Sequence, residues 1–182
     1  MKRLMGVALL ALLICHALLK AQAGMLSEML WTSHVTSGML AVGLIFDLPV
    51  LMAIGFLFHL AVATPAYILL LLGHGDTNWT SFLLHSLTPI AGWIVWRKLP
   101  LPTPTWWHAW LVCFLLVILC RVFTPEQLNI NLAFKSWGSA PLLGEWFTHT
   151  IVLLFILPQL ATVQWLFNRF TLSAGREGMG LH

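Results

Sequence analysis

The sequence predicts an all-α bundle of six transmembrane helices with both termini on the inner side of the membrane. Three observations predict it. Of 182 residues, 59% are apolar and only 8% are charged, whereas a soluble globular chain carries about 25% charged residues. The mean hydropathy is +0.89. Apolar runs close to the roughly 20 residues that cross a bilayer follow one another, with Gly, Pro or charge at each break. Lipid offers the backbone no hydrogen-bond partner, and the alternation of barrel strands is missing, so the runs are read as helices. Residues 1–172 form one bundle domain, with no room for a second, and 173–182 form a mobile polar tail.

The first run, Leu4 to Leu19, lies between Lys2-Arg3 and Lys20. Its basic start, apolar centre and Ala21-Gln22-Ala23 also fit a signal peptide over residues 1–23, but Lys20 just before the cut favours a retained helix. The later runs are Leu26 to Phe46, Val50 to Leu72, Thr80 to Trp96, Thr105 to Phe123 and Leu142 to Phe167. With the N-terminus inside, Lys2, Arg3, Arg97, Lys98, Arg169 and Arg176 share one side and Lys20, Arg121 and Lys135 the other. Six against three gives the N-in, C-in orientation. The net charge is +3, but its residues are scattered singly or in pairs, which excludes a nucleic-acid footprint. Most of the ten Trp fall near run ends, where such rings anchor at the headgroups. Cys15, Cys113 and Cys120 lie inside apolar runs and read as packing residues. Asn78-Trp79-Thr80 matches a glycosylation sequon but stands almost against a span.

Polar groups embedded in the runs are the candidate site, because each is costly in a bilayer. In Trp31-Thr-Ser-His34-Val-Thr36-Ser37-Gly38, a helix advancing about 100° per residue puts Thr36 on a face with Thr32 and Ser33, and His34 nearly opposite. His34 and Thr36 therefore cannot aim at one site without a distortion. His85 is the sharpest single residue, since an imidazole exchanges protons near neutrality. Pro89, four residues on, kinks the helix and frees a carbonyl. Thr36, His85, His149 and Arg121 fall in the outer half of the bundle, whereas His59 falls near mid-membrane. His16, His74, His108 and His182 lie near run ends, loops or the tail and are assigned no chemistry.

The order Ser-His34-Val-Thr36-Ser37 in the second run, Leu-Leu-His85-Ser-Leu in the fourth and Leu-Asn129-Ile-Asn131-Leu-Ala-Phe before the last resembles the bacterial YwaF-like integral membrane proteins. These are similar to the androgen-induced, FAR-17a-like lipid hydrolases and to a related membrane acyltransferase of animals. The likeness runs over most of residues 25–168 as pattern rather than identity. It implies a six-helix enzyme of the bacterial inner membrane that acts on fatty-acyl esters through a Thr or Cys nucleophile and a His. The nucleophile falls on Thr36 and the histidine on His85. Ser37 stands where the bacterial pattern has Asp, which removes a carboxylate that could orient the site.

In this reading Thr36 attacks an acyl carbonyl while His85 takes its proton and later activates water. Asn131 or Arg121 supplies oxyanion donors if the segment after the fifth run folds inward. His34, Ser37 and His149 support the pair, and Glu145 is the least implausible carboxylate to orient it. The partner is a membrane lipid or fatty-acyl ester; no cofactor, metal or nucleic acid is expected, and the oligomeric state stays open. Two alternatives stand beside it. A haem- or metal-binding protein would use His34, His59, His85 and His149, spread one to a run. A non-catalytic scaffold or transport component would use every polar residue structurally, although no inverted repeat favours transport.

Overall fold

The computed structural model describes residues 1–74, 78–134 and 155–178, the side chains of His74 and of 174–178 excepted. The described chain is all α-helical. Helix α1 is Lys2–Gln22, α2 Thr32–Phe46, α3 Pro49–Phe58, α4 Thr64–His74, α5 Trp79–Trp96, α6 Thr105–Phe123 and α7 Leu157–Gly178. A π-helical turn, His59–Ala63, joins α3 to α4 in one continuous rod. Among the described residues three helical lengths are long and apolar enough to cross a membrane: α1, the rod Pro49–Gly73, and α6. Their outward faces carry Leu4, Val7, Ile14, Leu18, Leu69, Leu72, Leu115 and Val122, all exposed. Side chains of this kind on the outside suit a surrounding of lipid. The last run of the sequence reading, Leu142 to Phe167, begins outside the described residues, and α7 continues as backbone helix to Gly178.

The second run does not form one helix. Leu26–Leu30 is a 3-10 turn, Trp31 is extended at ψ 131°, and α2 begins only at Thr32. The cause lies a hundred residues away. Asn131 Oδ1 accepts hydrogen bonds from the Thr32 backbone N–H at 2.7 Å and from its hydroxyl at 2.9 Å, while Asn131 Nδ2 donates to the Leu30 carbonyl at 2.8 Å. An N-cap normally comes from the preceding side chain. Trp31 cannot supply one, so Asn131 does, itself held at φ 56° in the left-handed region that Asn tolerates.

Packing begins with close helix approaches. A Cβ added at Gly6 on α1 would lie 2.7 Å from the Ala41 carbonyl of α2, and one at Gly55 on α3 would lie 2.5 Å from the Thr36 carbonyl. Small residues at such crossings let backbones touch where no hydrophobic effect drives association. Around them Leu40, Ala41, Ala53, Phe56, Leu57 and Leu160 are fully buried and, with Ala91 of α5, draw α2, α3, α5 and α7 into one core. Helix α7 is also stitched to the link before α6. Gln164 accepts from the Trp106 N–H and donates to the Pro102 carbonyl, and Asn168 pairs with both backbone groups of Leu101.

The Gly55 crossing sets a stability test. Gly55→Val places a side chain against backbone that cannot yield, and overpacking of this kind costs about 1–3 kcal/mol. Gly73→Ala, with nothing within 4 Å, is the control. Thermal unfolding in detergent micelles is expected to fall clearly for the first and to stay within a degree or two, or rise, for the second.

Candidate functional site

Four histidines from four segments meet inside the end of the bundle where α1 leads to α2. His16 lies roughly 9 Å from the end of α1, His34 is in the first turn of α2, and His85 lies roughly 9 Å into α5, at about 1.5 Å per residue. His59 opens the π-helical turn. Ring centroids stand 4.6 Å apart for His16 and His34, 6.5 Å for His34 and His85, and 5.6 Å for His59 and His85. The ring of Tyr67 on α4 stacks on His85 at 4.2 Å, with 4° between the planes. His16 and His59 are completely enclosed, whereas His34, His85 and Tyr67 keep 5–7% of their surface.

The π-helical turn is what aligns this group. His59 and Tyr67 are eight residues apart, and in an unbroken α-helix they would sit about 80° apart around the axis. One residue inserted into a turn takes up about 100° of that rotation and leaves the two roughly 20° apart, on one face. The widened turn presents the Ala61 carbonyl to Gln159 Nε2 of α7. On α5, Pro89 has no N–H for the carbonyl of His85, four residues back. Thr64 of α4 donates its hydroxyl to that carbonyl at 2.9 Å. Thus α4 holds His85 twice, through its backbone and through its ring.

The hydrogen-bond network assigns the tautomers. His34 Nδ1 lies 3.0 Å from the Glu28 carbonyl, which only accepts, so the proton sits on Nδ1 and Nε2 carries a lone pair. His59 Nε2 lies 3.0 Å from the Ser33 carbonyl and therefore donates, leaving Nδ1 as the lone pair. Thr80 gives its one hydroxyl proton to Asn78 Oδ1 at 2.7 Å, so His16 Nδ1 at 2.7 Å donates to Thr80 and its Nε2 is the free base. Among the described residues five buried side-chain polar atoms lack a hydrogen-bond partner: His16 Nε2, His59 Nδ1, His85 Nδ1 and the Tyr67 hydroxyl in this group, and Trp96 Nε1 at the other end of α5. The partly buried ion pair Lys20–Glu28, at 2.6 Å, lies one turn beyond His16 on α1 and closes the cluster toward the surface.

The residues singled out from the sequence fall into three groups. His34 and His85 meet. Ser37 joins the same neighbourhood, with its hydroxyl 2.9 Å from His59 Nε2 and 3.0 Å from Thr88 Oγ1. Because that nitrogen carries a proton, His59 is no base for Ser37. Thr36 faces away, as the regular geometry of α2 requires. Its hydroxyl donates back to Thr32 and Ser33 carbonyls at 2.7 and 3.2 Å, and no hydrogen bond among the described residues links it to His85. Asn131 spends its amide on the start of α2 and on Cys120 Sγ, and Arg121 reaches the Ala133 carbonyl at 3.3 Å beside the Phe134 ring. Both hold the segment after α6 rather than the histidines. His149 and Glu145 lie outside the described residues.

The sequence reading passed over His16 and Tyr67 and left His59 apart at mid-membrane. On α1, Gly6, Leu9 and His16 are the buried positions, a spacing that marks His16 as inward-facing. The lone pairs of His16, His34 and His59, each opposite an N–H held by an oxygen, have the arrangement of metal-binding imidazoles. As placed, however, no three His, Cys, Asp or Glu side chains among the described residues stand close enough to hold one ion. The arrangement can accept a proton from, or donate a phenol hydrogen bond to, a group that reaches His85 and Tyr67.

Two local contacts set expectations. Thr64→Val leaves the His85 carbonyl without its donor, and Asn131→Ala takes the acceptor from the Thr32 N–H and hydroxyl and the donor from the Leu30 carbonyl. Each is expected to destabilise by about 1–3 kcal/mol, read as a lower unfolding midpoint in micelles. Thr64→Ser, which restores the hydroxyl, should recover most of the loss.

No protein-family model matches this chain, and neither a curated protein nor a solved structure does.

Proposed function

We propose that the chain is a membrane-embedded lipid-ester hydrolase or acyltransferase, with six transmembrane helices, N-in and C-in, in which His85 is the general base. The observation that carries this reading is the buried, unpartnered Nδ1 of His85 at the centre of the histidine group. A polar atom left without a partner in an apolar interior is costly, and on an ionisable side chain it makes that residue a candidate for function. The small exposure of His34, His85 and Tyr67 supports lateral entry of a lipid-borne group. The resemblance to membrane lipid hydrolases supports an acyl ester as substrate and His85 as the histidine, though not the nucleophile it implies at Thr36.

The nucleophile in this proposal is not Thr36, whose proton is committed to its own helix. His85 Nδ1 takes a proton from water as the water oxygen bonds to the acyl carbon. The tetrahedral intermediate collapses, the ester C–O bond breaks, and the departing alcohol takes the proton from His85. Water and ester become acid and alcohol, and the imidazole ends as it began. A lipid alcohol in place of water makes the same centre an acyltransferase.

Purified protein assayed with p-nitrophenyl decanoate tests it. His85→Ala is expected to lower kcat by about a hundred- to ten-thousandfold, the usual worth of a general base. Thr36→Ala should stay within about fivefold. A wild-type chain with no ester hydrolysis above buffer, or one indifferent to His85→Ala, overturns the proposal. Loss of activity in Thr36→Ala with an unchanged unfolding midpoint returns the nucleophile to Thr36.

A further inference from the structure

The chain has one tyrosine, and its hydroxyl is unexplained by packing. Tyr67 is 7% exposed, its ring lies parallel to His85 at 4.2 Å, and its hydroxyl has no partner among the described residues. Phenylalanine would keep the whole ring contact without carrying a buried, unmet donor. In a bilayer such a donor is a liability, so the hydroxyl earns its place by meeting an acceptor that arrives from elsewhere.

The acceptor's chemistry follows from the neighbours. The nearby unpartnered nitrogens, His59 Nδ1 and His85 Nδ1, are side-chain groups of the same small region, and the rotation taken up by the π-helical turn sets His59 and Tyr67 on one face. His59 Nδ1 is itself an acceptor, as its tautomer requires. An entering group must therefore offer oxygen to the phenol while leaving the imidazole of His85 free to take a proton. A carbonyl meets that demand; an alkyl chain does not.

Resting on the ester-hydrolase reading, we propose that the Tyr67 hydroxyl donates a hydrogen bond to the acyl carbonyl oxygen of the substrate and holds it as negative charge develops there. Tyr67 keeps its proton throughout. The bond strengthens as the carbonyl becomes an oxyanion, which is the property that turns a binding contact into rate. Thr64, one turn earlier on α4, fixes the backbone of the base while Tyr67 covers its ring, so one helix carries both the donor and the support of His85.

Two measurements test it on the full-length protein in micelles. Tyr67→Phe keeps the stacked ring and removes one oxygen. Its kcat on p-nitrophenyl decanoate is expected to fall about a hundredfold, in line with loss of an oxyanion donor, with KM within about twofold and the unfolding midpoint unchanged or higher. Wild-type kcat in Tyr67→Phe overturns the assignment and leaves His85 as base untouched. The second measurement needs no turnover. Because the chain has a single tyrosine, biosynthetic 3-fluorotyrosine labels Tyr67 alone. Its fluorine resonance is expected to move with 2-dodecanone and not with dodecane. Equal responses to the two overturn carbonyl binding at Tyr67. A ketone-specific shift in a protein that hydrolyses no ester upholds the carbonyl site and discards the hydrolase.

Discussion

One absent amide proton organises this end of the bundle. Pro89 cannot donate to the carbonyl of His85, and an apolar surrounding contains no water to take its place. The donor has to come from another helix, and Thr64 is that donor. For Thr64 to reach α5, α4 must be turned to the right phase, and the π-helical turn between α3 and α4 provides the rotation. That turn in turn opens the Ala61 carbonyl, which draws Gln159 and with it α7. A chain of obligations runs from one proline through three helices, and His59, Tyr67 and His85 are carried together by it.

The same accounting separates two hydroxyl groups that the sequence sets side by side. Thr36 and Ser37 are neighbours on α2, both almost wholly enclosed. Thr36 folds its proton back onto its own helix, as β-branched hydroxyl residues in apolar helices commonly do. Ser37 looks across to His59 and Thr88. Among the described residues neither has a hydrogen bond to a lone-pair nitrogen, since the His59 nitrogen beside Ser37 is itself a donor. An unclaimed nitrogen is common to His16, His59 and His85; what distinguishes His85 is that its ring also keeps a little exposure and lies against Tyr67.

Much of this was legible beforehand. Apolar runs broken by Gly, Pro and charge give the helices, Pro89 announces a freed carbonyl, and simple helical phase says that His34 and Thr36 face different ways. Three things were not legible, each because it depends on residues distant in sequence. The break at Trp31 needs Asn131, whose side chain replaces a local cap. His59 looks like a lone mid-membrane histidine until a widened turn, invisible in the hydropathy of His59–Ala63, rotates the residues after it. His16 sits near the end of α1, where a polar residue ordinarily meets headgroups, and only the fold of α2 and α5 over it encloses it. The single tyrosine offered no motif at all; its meaning comes from the ring it covers.

The widened turn has a further consequence for how this chain tolerates change. Removing one of residues 60–63 would let the rod close into an ordinary helix about one residue shorter, and the segments on either side would keep their relative phase, because the widening absorbs just that extra residue. Thr64 and Tyr67 would still face His85. What would vanish is the opened carbonyl, and with it the tether to Gln159. Tightening the turn with no residue removed does the opposite: everything after it swings by about a quarter of a revolution, like a key cut one notch out of step.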